Sequence, residues 1–164
     1  MNYSILNKLN ISKSHPYYFC KIPAKIPLPF ELFRESFHLS NSTQPVPKIF
    51  WESLLSEKNI KYFEEQITYW KDYRWNKKRF NFKIELITDE NDKEYIMGKA
   101  HKNGVKSIYE SRRYSIPIIT LSKDVAIISY HSYVGPLAAY SVTIICVKRN
   151  GNWVEYARGE EVIS

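Results

Sequence analysis

His131 is the histidine best set for nucleophile-and-base chemistry, because it lies inside an apolar run with Ser129 and Ser132 close by. A hydroxyl nucleophile and its base must come within hydrogen-bond reach. Adjacent residues of a strand point to opposite faces, which removes Ser132; Ser129 shares a face with His131 but stands about 6.5 Å away. A packed or surface histidine is the ordinary account of such a residue, and a catalytic one requires a concave pocket around it. His15, His38 and His101 are scattered, and all four histidines lack a Cys or acidic neighbour at metal-ligand spacing. Neither metal nor cofactor is expected. The acids cluster as Glu64-Glu65, residues 89–92 and Glu160-Glu161. Glycosidase or nuclease chemistry would need such acids in a cleft with shifted pKa values, and their exposed patterns do not suggest one. The five glycines form neither GxGxxG nor GKS/T.

Anion contact has the better motif. Arg74-Trp75-Asn76-Lys77-Lys78-Arg79 interleaves cations with an aromatic ring, and Arg112-Arg113 follow downstream. Lys and Arg neutralise phosphates while rings stack on bases. The segment also falls between a helix and a strand, where a solvated basic turn is ordinary and cations favour the helix C-terminus.

These residues sit in a chain of 164 residues with 44% apolar and 25% charged content, which suits one folded domain and is unlike a disordered protein. No apolar run approaches the roughly 20 residues of a membrane helix. The formal net charge of +7 is uneven: +4 on residues 1–30, −2 on 31–73, +5 on 74–113 and zero on 114–164. Residues 1–12 lack the unbroken apolar h-region of a signal peptide, which places the protein in the cytoplasm unless its native N-terminus is longer. Cys20 and Cys146 are the two cysteines, and free thiols fit that compartment better than a disulfide.

Residues 1–47 hold six of the eight prolines and no sustained periodicity, so this arm is expected to lie extended against the body, with a helical turn near residues 31–37. From Lys48, Phe50, Trp51, Leu54 and Leu55, then Ile60, Phe63, Ile67 and Trp70, repeat at helical spacing after a hitch at Lys58-Asn59. That stripe predicts one amphipathic helix, or two in tandem, over 48–73. Phe80, Phe82, Ile84 and Leu86 alternate as a half-buried strand. Residues 93–113 read as a short helix followed by a strand. Four β-branched and aromatic runs follow, at 116–121, 125–133, 140–148 and 153–157; Asn150-Gly151 between the last two signals a type I′ hairpin. The predicted fold is a single α+β domain over 48–164: an antiparallel β-meander of about five strands, with the N-terminal amphipathic helix packed on one face and the 1–47 arm packed on the body.

The run 117–153 carries Ser122-Lys123-Asp124, Ala126-Ile127-Ile128-Ser129-Tyr130, Ser132-Tyr133, Gly135, Leu137 and Lys148-Arg149-Asn150-Gly151-Asn152-Trp153. With Phe63, Gln66 and Trp75 upstream, it resembles a pattern in small uncharacterised proteins of Bacteroidetes-type bacteria. The resemblance covers about the last 100 residues and implies no activity. Those proteins often carry Cys-Gly-x-Leu-Cys-Gly where this chain has Val134-Gly135-Pro136-Leu137-Ala138-Ala139. Loss of that cysteine pair suits a cytoplasmic version.

The function these readings favour is a non-catalytic protein-binding domain of the immunity or inhibitor kind, whose partner has an acidic surface. Tyr and Trp are favoured interface anchors, and Tyr130, His131, Tyr133 and Tyr140 with Arg112 and Arg113 are the expected contact residues. The alternative is nucleic acid or another polyanion held by Arg74, Trp75, Lys77, Lys78 and Arg79. A small enzyme using His131 is the third reading.

Overall fold

The computed structural model describes residues 2–7, 17–20, 36–81, 84–87, 111–135 and 138–163. The helices are α1 (Asn2–Leu6), α2 (Lys48–Leu54) and α3 (Glu57–Trp70), and a 3-10 turn spans Lys77–Arg79. The strands are β1 (Tyr17–Cys20), β2 (Phe37–Leu39), β3 (Ile84–Ile87), β4 (Ser111–Tyr114), β5 (Ile118–Ile119), β6 (Val125–Gly135), β7 (Ala138–Arg149) and β8 (Asn152–Ile163).

All eight strands join one sheet in the order β2-β8-β7-β6-β4-β1-β3, with β5 also paired to β6. Six of them, β2 and β4 to β8, pair antiparallel. This is the α+β meander that the alternating runs predict. The sheet exceeds the five expected strands because the arm adds β2 at one edge and β1 toward the other, where β3, expected from the alternation at 80–86, pairs with β1 in parallel and not antiparallel. At the β7–β8 hairpin both Asn150 (φ 49°) and Gly151 (φ 78°) take left-handed backbone, as a type I′ turn demands.

Strand alternation divides the sheet between two cores. Ile127, Ile145 and Ala157 face Trp51, Leu54 and Phe63 of α2 and α3. Ala126, Ile128, Tyr130, Val142, Ile144 and Cys146 face the opposite way, toward Ile5 and Leu6 of α1 and toward Trp75 and Phe80. Each fully buried Ile or Leu contributes roughly 1.5–3 kcal/mol. That burial explains α1. Five residues are too few for a helix to persist alone, yet Ile5 and Leu6 are wholly enclosed.

The long helical stripe resolves into two helices, with the break at Leu55-Ser56, three residues before the expected hitch. Asn59 holds the junction: its side-chain amide donates to Ser53 O at 3.1 Å and accepts from Leu121 N at 3.2 Å. Two turns further along α3, Gln66 donates to Ile119 O (2.8 Å) and accepts from Ile119 N (3.0 Å). Its side chain thus supplies β5 with the partner that a neighbouring strand would give.

A bulge marks β8. Ile145 pairs with Ala157 and Cys146 with Glu155, leaving Tyr156 as the extra residue. Residues three apart in a regular strand face opposite sides; the bulge returns Glu155 and Arg158 to the same side, where they form a two-point ion pair at 3.1 Å. Opposite them, Tyr156 packs on Phe50 with ring centres 4.6 Å apart.

Of the arm, α1, β1 and β2 are described: α1 and β2 pack on the body through Ile5, Leu6 and Phe37, and β1 pairs between β3 and β4. The extended segment 21–30, most of the turn expected near 31–37 and the helix expected after residue 93 lie outside the described residues. Among the helices described, none is long and apolar enough to cross a membrane.

Candidate functional site: a pinned basic turn

The basic segment 74–79 leaves the end of α3 and is anchored from within. Trp75 is 2% exposed and Phe80 9%, so the two rings that bracket the turn belong to the core. Tyr3 of α1 is the centre of the anchor. Its ring meets Trp75 edge-on at 5.4 Å and Phe80 at 4.8 Å. Its hydroxyl oxygen accepts from Asn76 N at 2.7 Å and from the Tyr73 hydroxyl at 2.9 Å. Burial, then the hydrogen bond with Tyr3, pushes the Tyr73 phenol well above the ordinary tyrosine value. The guanidinium of Arg79 covers the Tyr3 ring at 4.5 Å, a cation–π contact.

Local sequence sets the rest of the turn. The Asn76 side chain accepts from Lys78 N at 3.0 Å and so caps the 3-10 turn. Asn7, at the end of α1, donates to Arg79 O (3.3 Å) and accepts from Asn81 N (3.1 Å), holding the chain as it leaves. With the backbone fixed, Arg74, Lys77, Lys78 and Arg79 all stand exposed. No acidic side chain among the described residues pairs with Arg74, Lys77 or Lys78.

Aromatic rings also mark the last turn of α3, just before these cations in the chain. Tyr69 is 77% exposed and sits edge-on to half-buried Trp70 at 4.6 Å; Trp70 in turn meets Tyr73 at 5.2 Å. Tyr69 was absent from the sequence-based candidates although it carried a signal. It falls off the Ile60, Phe63, Ile67, Trp70 stripe, so a helix packed by that stripe must present it to water. Tyr3 gave no such sign, since its role depends on contacts 70 and 73 positions away in sequence.

The expected contact residues around the β6–β7 hairpin are placed differently. Tyr130 is 5% exposed in the core, 5.0 Å from the ring of Tyr114 and 6.4 Å from that of half-buried Tyr140. Register pairs His131 with Arg113 and with Ser141, and both His131 and Arg113 are half-buried. Alternation puts Tyr130 and Tyr140 on one face and His131 and Arg113 on the other, so one flat partner could not touch all four. Arg112 pairs with Ser132, and Tyr133 with Ser111 and Ala139; the side chains of Arg112 and Tyr133 lie outside the described residues.

Ser129, the hydroxyl on the His131 face, is fully buried and engaged with Thr143 at 2.7 Å. A substrate cannot reach a nucleophile so enclosed. Among the described residues no three His, Cys, Asp or Glu side chains come together to hold a metal ion. Cys146 is a free thiol, fully buried, and burial pushes it up to about 12, which keeps it protonated and unreactive.

Comparison with models of known protein families, with curated proteins and with solved structures finds no match.

Proposed function

We propose that the chain is a non-catalytic protein-binding domain, of the immunity or inhibitor kind, that captures an acidic partner on the end of α3 and the 74–79 turn. One observation carries this reading: Arg74, Lys77 and Lys78 are exposed on a backbone pinned by Tyr3, and the last turn of α3, which leads into them, exposes the ring of Tyr69. Tyr, Trp and Arg dominate the energetics of protein interfaces, and a preorganised surface loses less entropy on binding. Cations at the rim steer an acidic partner and raise its on-rate. A cytoplasmic setting fits the free thiol of Cys146.

The same cations support nucleic acid as a second reading, but the stacking half of that reading is weak. Single-strand binders offer exposed rings to successive bases, whereas Trp75, the ring within the basic run, is in the core. The discriminating experiment is affinity capture from nuclease-treated host extract with the full chain as bait. A protein captured by the wild type and lost with Arg74→Glu, Lys77→Glu and Lys78→Glu supports the first reading. Retention on DNA at low salt, with no protein captured, supports the second.

A further inference from the structure

Between the 40–43 turn and the outer part of β8 lies a groove of about 1030 Å³, remote in sequence from the basic turn. Among the described residues its charged side chains are Glu155, Arg158 and Glu160, and the bulge at Tyr156 is what brings Glu155 and Arg158 onto its side of the sheet. Arg158 Nε and Nη2 donate to the two Glu155 oxygens at 3.1 Å each, and Ser40 Oγ donates to Glu155 Oε1 at 3.2 Å. Glu155 thereby accepts three hydrogen bonds and acts as a brace. The outer edge of Arg158 forms a second, looser ion pair, with Glu160 Oε1 3.6 Å from Nη1, beyond hydrogen-bond distance. Arg158 is 42% and Glu160 62% exposed, so both a donor fork and a carboxylate acceptor face the groove. His38, the register partner of Arg158, shares that face, and the 40–43 turn adds hydroxyl and amide groups.

The edge itself is closed to another strand. Leu39 N donates to Gln44 O at 2.9 Å, and Pro45 bridges His38 on the outer side of β2. A proline there removes a ladder donor, which argues against a peptide added as a strand.

We propose that this groove binds a neutral polyhydroxylated ligand, an oligosaccharide of more than one ring. The charges select the class. Glu160 repels an anion approaching Arg158, and Arg158 repels a cation approaching Glu160. A neutral ligand carrying both donors and acceptors on each hydroxyl satisfies the two at once, with the remaining polar rim supplying further bonds. The volume of about 1030 Å³ lies just above the range of about 300–1,000 Å³ usual for ligand sites.

The test is binding of the full chain to an array of immobilised neutral and acidic oligosaccharides, followed by calorimetry with the strongest neutral glycan free in solution. Two variants accompany the wild type. Arg158→Lys keeps the charge and loses the fork; Ser42→Trp fills the groove from an exposed turn position. The expected result is binding of a neutral glycan by the wild type, a tenfold or greater loss in Arg158→Lys, abolition in Ser42→Trp, and unchanged binding in the Arg74→Glu, Lys77→Glu, Lys78→Glu variant. If Arg158→Lys does not fold, Ser42→Trp decides. Absence of any neutral glycan binding, binding that Ser42→Trp leaves intact, or binding of acidic glycans alone would overturn the proposal. None of these outcomes touches the protein-partner reading, which rests on other residues.

Discussion

The hydroxyl of Tyr3 accepts a hydrogen bond from the backbone N–H of Asn76 across 2.7 Å, joining the first helix of the chain to the turn that carries its exposed cations. Through this contact a five-residue helix fixes a surface more than 70 positions downstream. The same oxygen holds the Tyr73 hydroxyl, and the same ring supports Arg79.

Tyr3→Phe keeps the ring and removes the acceptor. Asn76 N–H and the Tyr73 hydroxyl then lose their partner in a part-buried place, at a cost of about 1–2 kcal/mol. Thermal melting should fall accordingly, and amide exchange at Asn76 and Lys78 should quicken more than in α3. Exchange unchanged at those amides would show that the turn does not depend on Tyr3.

Gln66→Ala removes both hydrogen bonds between α3 and Ile119. Two net bonds to a part-buried strand edge are worth about 1–3 kcal/mol. The loss is expected to appear in urea denaturation as a lower midpoint at an unchanged slope. Gln66→Glu should do worse than Gln66→Ala, since it sets an anionic oxygen against the Ile119 carbonyl oxygen where the amide donated.

At Gly159 an added methyl group would stand 2.7 Å from the ring of Phe37, which is only 2% exposed. Phe37 must move for Gly159→Ala to be accommodated, and β2 with it. Overpacking of this kind costs about 1–3 kcal/mol. Shortening the ring by Phe37→Leu should recover part of the loss in the double variant; strictly additive effects would mean that the two positions do not meet.

Cys146 makes the pH behaviour directional. Its thiol is held up to about 12 in the folded chain, by burial first and by the charge of Glu155 second, against about 8.5 in an unfolded one. Folding therefore favours the neutral thiol. Its contribution is complete below about pH 8.5 and is lost as pH rises from there toward the folded value. At pH 8, iodoacetamide should leave Cys146 unmodified in the native protein and alkylate it in urea, as read by peptide mass mapping. Native-state alkylation as fast as that of the unfolded chain would contradict the burial.

Much of this architecture was legible because it is repetitive. The 3-and-4 spacing from Trp51 to Trp70 gave the paired helices, alternation gave the meander, and Asn150-Gly151 gave the hairpin that both residues adopt with positive φ. Features that depend on a single residue or on a distant partner were not. Helix α1 exists because Ile5 and Leu6 are enclosed by other elements, and local pattern carries no trace of that. Tyr156 is an ordinary strand residue in sequence, yet as the extra residue of a bulge it sets which face Arg158 occupies. Trp75 looked like a stacking ring among cations and is an anchor of the core. Tyr130 and His131, read together as one surface, are set apart by the same alternation that identified their strand.

The most direct measurement of the central claim is the salt dependence of partner capture by the wild type and by the Arg74→Glu, Lys77→Glu, Lys78→Glu variant, with folding of both verified by circular dichroism. Steering by exposed cations weakens as salt screens them, over a Debye length of about 8 Å at physiological strength. The account predicts a captured acidic protein that elutes as salt rises, is lost from the variant at every salt concentration, and is weakened by Tyr69→Ala. A partner held equally by both baits and indifferent to salt would contradict it.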